Sequence, residues 1–175
     1  MAKVLFIIAQ KNFREEELKE PLQVLKEGGY GAAIAADSTK IAEGMLGLQV
    51  QPDMSFSEAF RCLNEFSAVV VVGGSGAVSL ANNSYVVRIL KNADLSGKVI
   101  GAICLGPVVL ARAGVITGRR AVVYYSAPDA ESIKALRAGG AVFTDKKIVE
   151  DGRIITAYGP QQSTEFAKVL LKKLG

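Results

Sequence analysis

"KVIGAICLGPVVLA", Lys98 to Ala111, decides the fold. A Val/Ile-rich run stops at Cys104, Gly106 and Pro107 follow, and an apolar stretch of helical character begins. A β-branched run without polar alternation predicts a strand buried on both faces, as in parallel sheets covered by helices. Proline suits the first turn of a helix. The stretch therefore predicts a strand, a sharp turn and a helix, with Cys104 at the corner.

Outward from this corner the same alternation repeats. "KVLFII" (3–8), "YGAAIAA" (30–36), "AVVVVGG" (68–74) and "RAVVYY" (120–125) predict strands. "EEELKEPLQVLKEGG" (15–29) predicts a helix, with Leu18, Leu22 and Leu25 on one face, acids in the first turn and glycine at the end. "NSYVVRILKNA" (83–93), "DAESIKALRAGG" (129–140) and "PQQSTEFAKVLLKKL" (160–174) predict further helices, the last with Pro160 in its first turn. Glycine-broken "KIAEGMLGLQVQPDMSF" (40–56) predicts a small hairpin or excursion, and "KIVEDGRIITA" (147–157) a hairpin turning at Asp151-Gly152. Alternating strands and helices predict an α/β, flavodoxin-like (Rossmann-like) three-layer sandwich with a mostly parallel central sheet. The length of 175 residues fits one domain, 1–175.

Composition narrows the function. Half the residues are hydrophobic and the net charge is +4. The basic residues are scattered and no basic patch is interleaved with aromatics, so no nucleic-acid partner is expected. The apolar core of "MAKVLFIIAQKN" is shorter than a secretion signal needs and reads as a buried first strand. No stretch predicts a membrane span. The two cysteines, Cys62 and Cys104, have no metal-ligand spacing, and there is no histidine, so neither a disulfide framework nor a metal site nor another cofactor is expected. A cytoplasmic setting, where thiols stay reduced, follows.

Three elements carry candidate chemistry. Cys104 lies at the carboxyl end of a strand, where open α/β sheets place their sites, and at a helix start. The partial positive charge there is expected to lower a thiol pKa by one or more units from about 8.5. On periodicity alone, Cys104 is a small buried hydrophobe, the common role of a free cysteine. So is Cys62, within the helical "EAFRCLNEF". "VVVVGGSGAVSL" ends a strand in Gly73-Gly74, whose bare N–H groups can meet an oxyanion, though on its own the stretch reads better as a tight strand-to-helix turn. It is no Walker loop, because no lysine follows. The acids Glu15, Glu16, Glu17 and Glu20 suit a helix N-terminus. One of them can face the thiol across the same sheet edge, with its own pKa raised by burial and by like charge.

In this order the elements resemble the ThiJ/PfpI superfamily, which includes the DJ-one deglycase proteins. The likeness covers almost the whole chain. "VVVVGGSGA" is similar to the family's strand-ending glycine motif, "IGAICLGPVVLARAGVITGRRAV" to its cysteine elbow, and "IVEDGRIITAYGPQQSTEFA" to its ending. The resemblance implies that Cys104 is a nucleophilic, oxidation-prone cysteine in a strained backbone conformation. It implies that Glu17 hydrogen-bonds it, and that the N–H groups of Gly74 and Leu105 form an oxyanion site. It also implies a homodimer or larger homo-oligomer. Two departures stand out. Members proposed as peptidases carry a histidine directly after the cysteine, where this chain has Leu105, and the family's earlier glutamate falls at Arg14.

Without histidine, a Cys-His triad is excluded, and amide hydrolysis lacks the proton donor that an amine leaving group needs. A reactive aldehyde accepts a thiolate without losing a leaving group. The function that the resemblance implies, and that this chemistry allows, is a stress-protective glyoxalase or deglycase acting on a small reactive aldehyde such as methylglyoxal, or on a glycated substrate. The alternatives are a redox sensor or chaperone-like protein oxidised at Cys104 and, last, an intracellular cysteine peptidase.

Overall fold

The structure, a computed structural model, describes residues 2–175. The chain runs β1 (Lys3–Ile7), β2 (Lys11–Phe13), α1 (Glu16–Glu27), β3 (Gly31–Ala36), β4 (Ala42–Gly44), β5 (Gln49–Val50), β6 (Met54–Ser55), α2 (Phe56–Arg61), β7 (Phe66–Val71), α3 (Ala77–Leu80) and α4 (Ser84–Leu95). It continues through β8 (Val99–Ile103), α5 (Gly106–Ala113), β9 (Arg120–Ala121), α6 (Glu131–Ala138), β10 (Val142–Phe143), β11 (Ile148–Asp151), β12 (Ile154–Ala157) and α7 (Ser163–Leu174). Seven strands form the central sheet in the order β11-β12-β8-β7-β1-β3-β6, and only the β11–β12 pair is antiparallel. This is the expected mostly parallel α/β sandwich.

The Val/Ile runs are continuous because each strand serves two cores. Successive side chains of a strand point to opposite faces. Val4, Phe6, Val70 and Ile103 pack with Leu18 and Leu25 of α1 and with Phe166 and Leu170 of α7. Leu5, Ile7, Val69 and Ile100 pack on the other face with Ile89, Val109 and Leu136, from α4, α5 and α6. The helix after β1 thus covers one face, and the helices between β7 and β8 cover the other. Strand order reverses between β1 and β7, and a crevice opens beyond the carboxyl ends of the strands at such a switch point.

Some details differ from the sequence expectation. In residues 120–125 only Arg120 and Ala121 join a ladder, with β10. The next amides are spent elsewhere: Val122 N–H donates to Thr156 Oγ1 at 3.0 Å, and Tyr124 N–H to the Cys104 carbonyl at 2.8 Å. The β11–β12 turn centres on Gly152-Arg153, because Asp151 still pairs with Ile154 and Gly152 has φ 63°. Pro160 begins a short 3-10 turn, and the last α-helix starts at Ser163. The excursion resolves into the β4–β5 hairpin, joined by β2, and the edge strand β6.

Candidate active site

Cys104 follows the last residue of β8, and α5 starts two residues later. Its φ is 60°, in the left-handed region that a residue with a Cβ adopts at a cost of about 1 to 3 kcal/mol. Two backbone bonds hold it there: Cys104 N–H donates to the Ala157 carbonyl at 2.9 Å, and the Cys104 carbonyl accepts from Tyr124 N–H at 2.8 Å. The neighbouring strand and the segment after β9 thus clamp the elbow from both sides.

Glu17 reaches the same point from the second residue of α1. It is fully buried, and its Oε2 accepts the N–H of Gly73 at 2.8 Å. Oε1 is buried with no partner at ordinary geometry. Apart from Gly73, the hydrogen-bonding group that the carboxyl reaches is the Cys104 thiol. Of the acids at this helix start, Glu17 is therefore the one that faces the thiol. Glu15 instead accepts the N–H of Leu46 at 2.6 Å and fastens the β4–β5 turn. Glu16 pairs with Arg14.

The glycine pair is required sterically. A Cβ on Gly73 would lie 2.6 Å from the Cys104 Cβ and 2.5 Å from Glu17 Oε2. Gly74 has φ 102° and packs against the backbone of Asn12 to Arg14. Gly74 and Leu105 line the same cavity as Cys104, and their N–H groups pull the thiol pKa down. The structure therefore brings Cys104, Glu17, Gly74 and Leu105 together.

The electrostatics differ in part from the expectation. Burial, opposed by the hydrogen bond from Gly73, pushes the Glu17 carboxyl up to about 7. Burial, and then the Glu17 charge, push the Cys104 thiol up to about 12, against the opposing pull of the Gly74 and Leu105 N–H groups. The lowered thiol pKa expected at a helix start is not found, because removal from water outweighs the helix terminus here. As the pH rises, the first proton leaves the pair from Glu17.

A cavity of about 560 Å³ opens over the thiol. Arg14, Met45, Tyr124, Tyr158 and Gln161 contribute to its walls. Sequence reasoning gave Tyr124 and Tyr158 no role, although Tyr124 lies in the strand-like run 120–125 and Tyr158 directly follows the run that ends at Ala157. Tyr158 donates its hydroxyl to the Tyr125 carbonyl at 2.9 Å and so ties the segment after β9 to the C-terminal part of the sheet. Cys62 caps the end of α2, half-buried beside Met54 and away from this cavity. Among the described residues, no three His, Cys, Asp or Glu side chains gather where they could share a metal ion. No described helix is long and apolar enough to cross a membrane.

Comparison with known proteins places this geometry. The DJ-1/PfpI family model matches residues 2–173. Deglycase PfpI of Pyrococcus furiosus is 32% identical over 172 residues, which cover 96% of this chain and 99% of that protein. The glutathione-independent glyoxalase DJR-1.2 of Caenorhabditis elegans is 29% identical over 170 residues, covering 97% of this chain and 87% of the worm protein. The crystal structure of a ThiJ/PfpI domain protein from Brachyspira murdochii superposes with a TM-score of 0.91 at 27% identity, over 98% of this chain and 95% of that one. With its sequence matched almost end to end and its fold shared, the chain belongs to the DJ-1/PfpI family.

Proposed function

We propose that the chain is a cysteine-dependent enzyme acting on small reactive aldehydes, of the glyoxalase or deglycase type, with methylglyoxal or its early adducts as substrate. The observation that carries this reading is the pairing of an elbow cysteine at φ 60° with a fully buried glutamate whose second oxygen has no other partner. Relatives named deglycase and glyoxalase support it.

The chemistry needs no histidine. Glu17, ionised above about pH 7, takes the thiol proton as the sulfur adds to the aldehyde carbon. The C–S bond forms as the carbonyl π pair moves to oxygen, where the N–H groups of Gly74 and Leu105 hold the charge. Glu17 returns its proton to that oxygen and a hemithioacetal results. Transfer of the aldehyde-carbon proton to the neighbouring carbonyl carbon, through an enediol, oxidises the first carbon and reduces the second. The thioester so formed is hydrolysed by water, releasing the thiol and a 2-hydroxy acid, which is lactate when the substrate is methylglyoxal. Because the resting thiol is protonated, attack and proton transfer are coupled. Methylglyoxal consumption with lactate detection tests the reading. Turnover in the wild type and none in Cys104→Ser is expected, and equal turnover in both would overturn it.

A second reading, a redox-responsive protein with little turnover, is favoured by the two N–H groups that pull the thiol pKa down, which would hold sulfinate oxygens. Mass spectrometry after mild peroxide would then find oxygen on Cys104 before Cys62. The opposite order would rule this reading out. A peptidase ranks last, since no copy of the chain in a homo-oligomer can supply a histidine.

A further inference from the structure

Among the described residues that line the cavity over Cys104, Arg14 is the one cation. Its placement is fixed at both ends. The backbone N–H of Arg14 donates to the Gly73 carbonyl at 3.0 Å, next to Gly74, which lines the cavity with Cys104. The guanidinium is held side-on by Glu16, through Nε to Oε2 at 2.7 Å and Nη2 to Oε1 at 2.9 Å. A guanidinium carries five N–H donors in a rigid fork. Glu16 takes two on one edge, and the Nη1 edge is left without a protein partner among the described residues. The other nearby carboxyls are engaged elsewhere: Glu15 with the β4–β5 turn, and Glu17 with Gly73 and the thiol. A fork already immobilised by one carboxylate loses little freedom when it binds another.

We infer that Arg14 is the carboxylate-binding residue of this cavity, and that the cavity takes 2-hydroxy carboxylates by their anionic end. The inference rests on the proposed aldehyde chemistry for the identity of the ligand, because that reaction ends by creating a carboxylate beside the sulfur. Its physical basis is separate: one preorganised cation in a cavity whose buried acid, Glu17, is partly neutral near pH 7. Glu16 fixes the guanidinium through Nε and Nη2 and leaves the Nη1 edge open to the ligand.

Binding needs no turnover, so it is measured directly by chemical-shift titration of the full chain with lactate and, as the uncharged isostere, lactamide. Wild-type protein is expected to bind lactate more tightly than lactamide. Arg14→Met is expected to weaken lactate about tenfold or more and to leave lactamide unchanged. Arg14→Lys, which keeps charge without the fork, should fall between the two. Equal binding of lactate and lactamide by the wild type, no lactate binding at all, or lactate binding unchanged in Arg14→Met would overturn the inference. Lactate binding that follows Arg14 in a protein without methylglyoxal turnover would uphold this site and count against the catalytic reading. Turnover without Arg14-dependent lactate binding would do the reverse.

Discussion

Gly73 donates its backbone N–H to Oε2 of Glu17 at 2.8 Å, across 56 residues of sequence. This bond allots the carboxyl: one oxygen is fixed to the end of β7, and the other is left for the Cys104 thiol. It also partly offsets the burial that raises the Glu17 pKa, so the group titrates near neutrality.

The first prediction concerns the pH dependence of turnover. If Glu17 accepts the thiol proton, kcat/KM for methylglyoxal rises with pH through about 7, where Glu17 ionises. Glu17→Gln should flatten that limb and lower kcat/KM by about 10²- to 10⁴-fold, the usual contribution of a general base. A Gln variant with the wild-type profile would remove Glu17 from the mechanism.

The same variant should change the thiol in the opposite direction. The Glu17 charge is one of the causes that hold the Cys104 pKa up. In a Cys62→Ser background at mildly alkaline pH, iodoacetamide should therefore alkylate Cys104 several-fold faster when Glu17 is Gln, because thiolate is the reacting species. Slower turnover with faster alkylation separates proton transfer from simple nucleophile exposure. An unchanged or slower alkylation rate would mean that the Glu17 charge does not act on the sulfur.

Stability should carry the signature of Glu17 as well. Its carboxyl is raised from the ordinary 4.5 to about 7 in the folded chain, so the folded state holds this proton more tightly than the unfolded state does. The stability it contributes is complete below about pH 4.5 and is lost as pH rises through about 7, a change of about 3 kcal/mol at most. Denaturant unfolding at a series of pH values should show wild-type stability falling across this window. In Glu17→Gln the slope should be much reduced, and equal slopes in the two proteins would contradict the assignment.

Gly73→Ala tests the close approach of the ends of β7 and β8 and the start of α1. The added methyl would meet the Cys104 Cβ at 2.6 Å and the Ile103 carbonyl at 2.6 Å, neither of which is a flexible side-chain end. A cost of about 1 to 3 kcal/mol and loss of turnover are expected, in line with overpacking elsewhere. Gly29→Ala is a contrasting control. Its Cβ meets nothing within 4 Å, so any cost there reflects its φ of 81° and spares the site.

Much of the fold was legible in the sequence because local rules set it. Unbroken Val/Ile runs mark strands buried on both faces, and the helix of residues 15–29 is bounded by acids and glycine. The strand-turn-helix at Cys104 was legible for the same reason. The expected strand over 120–125 failed beyond Ala121 because its amides serve the elbow and Thr156, long-range bonds that no local pattern encodes.

The sequence alone determined the parallel α/β layering, the corner position of Cys104, and the exclusion of histidine chemistry by composition. These follow from residue types and their spacing. Residue types and spacing left open which of the clustered acids meets the thiol and the family resemblance pointed to Glu17; the tertiary structure shows where each one goes, Glu15 to the β4–β5 turn, Glu16 to Arg14 and Glu17 to Cys104. Only the structure decided the sign of the Cys104 shift, because a helix start lowers a thiol pKa while burial raises it, and the balance depends on how much water the packed neighbours exclude.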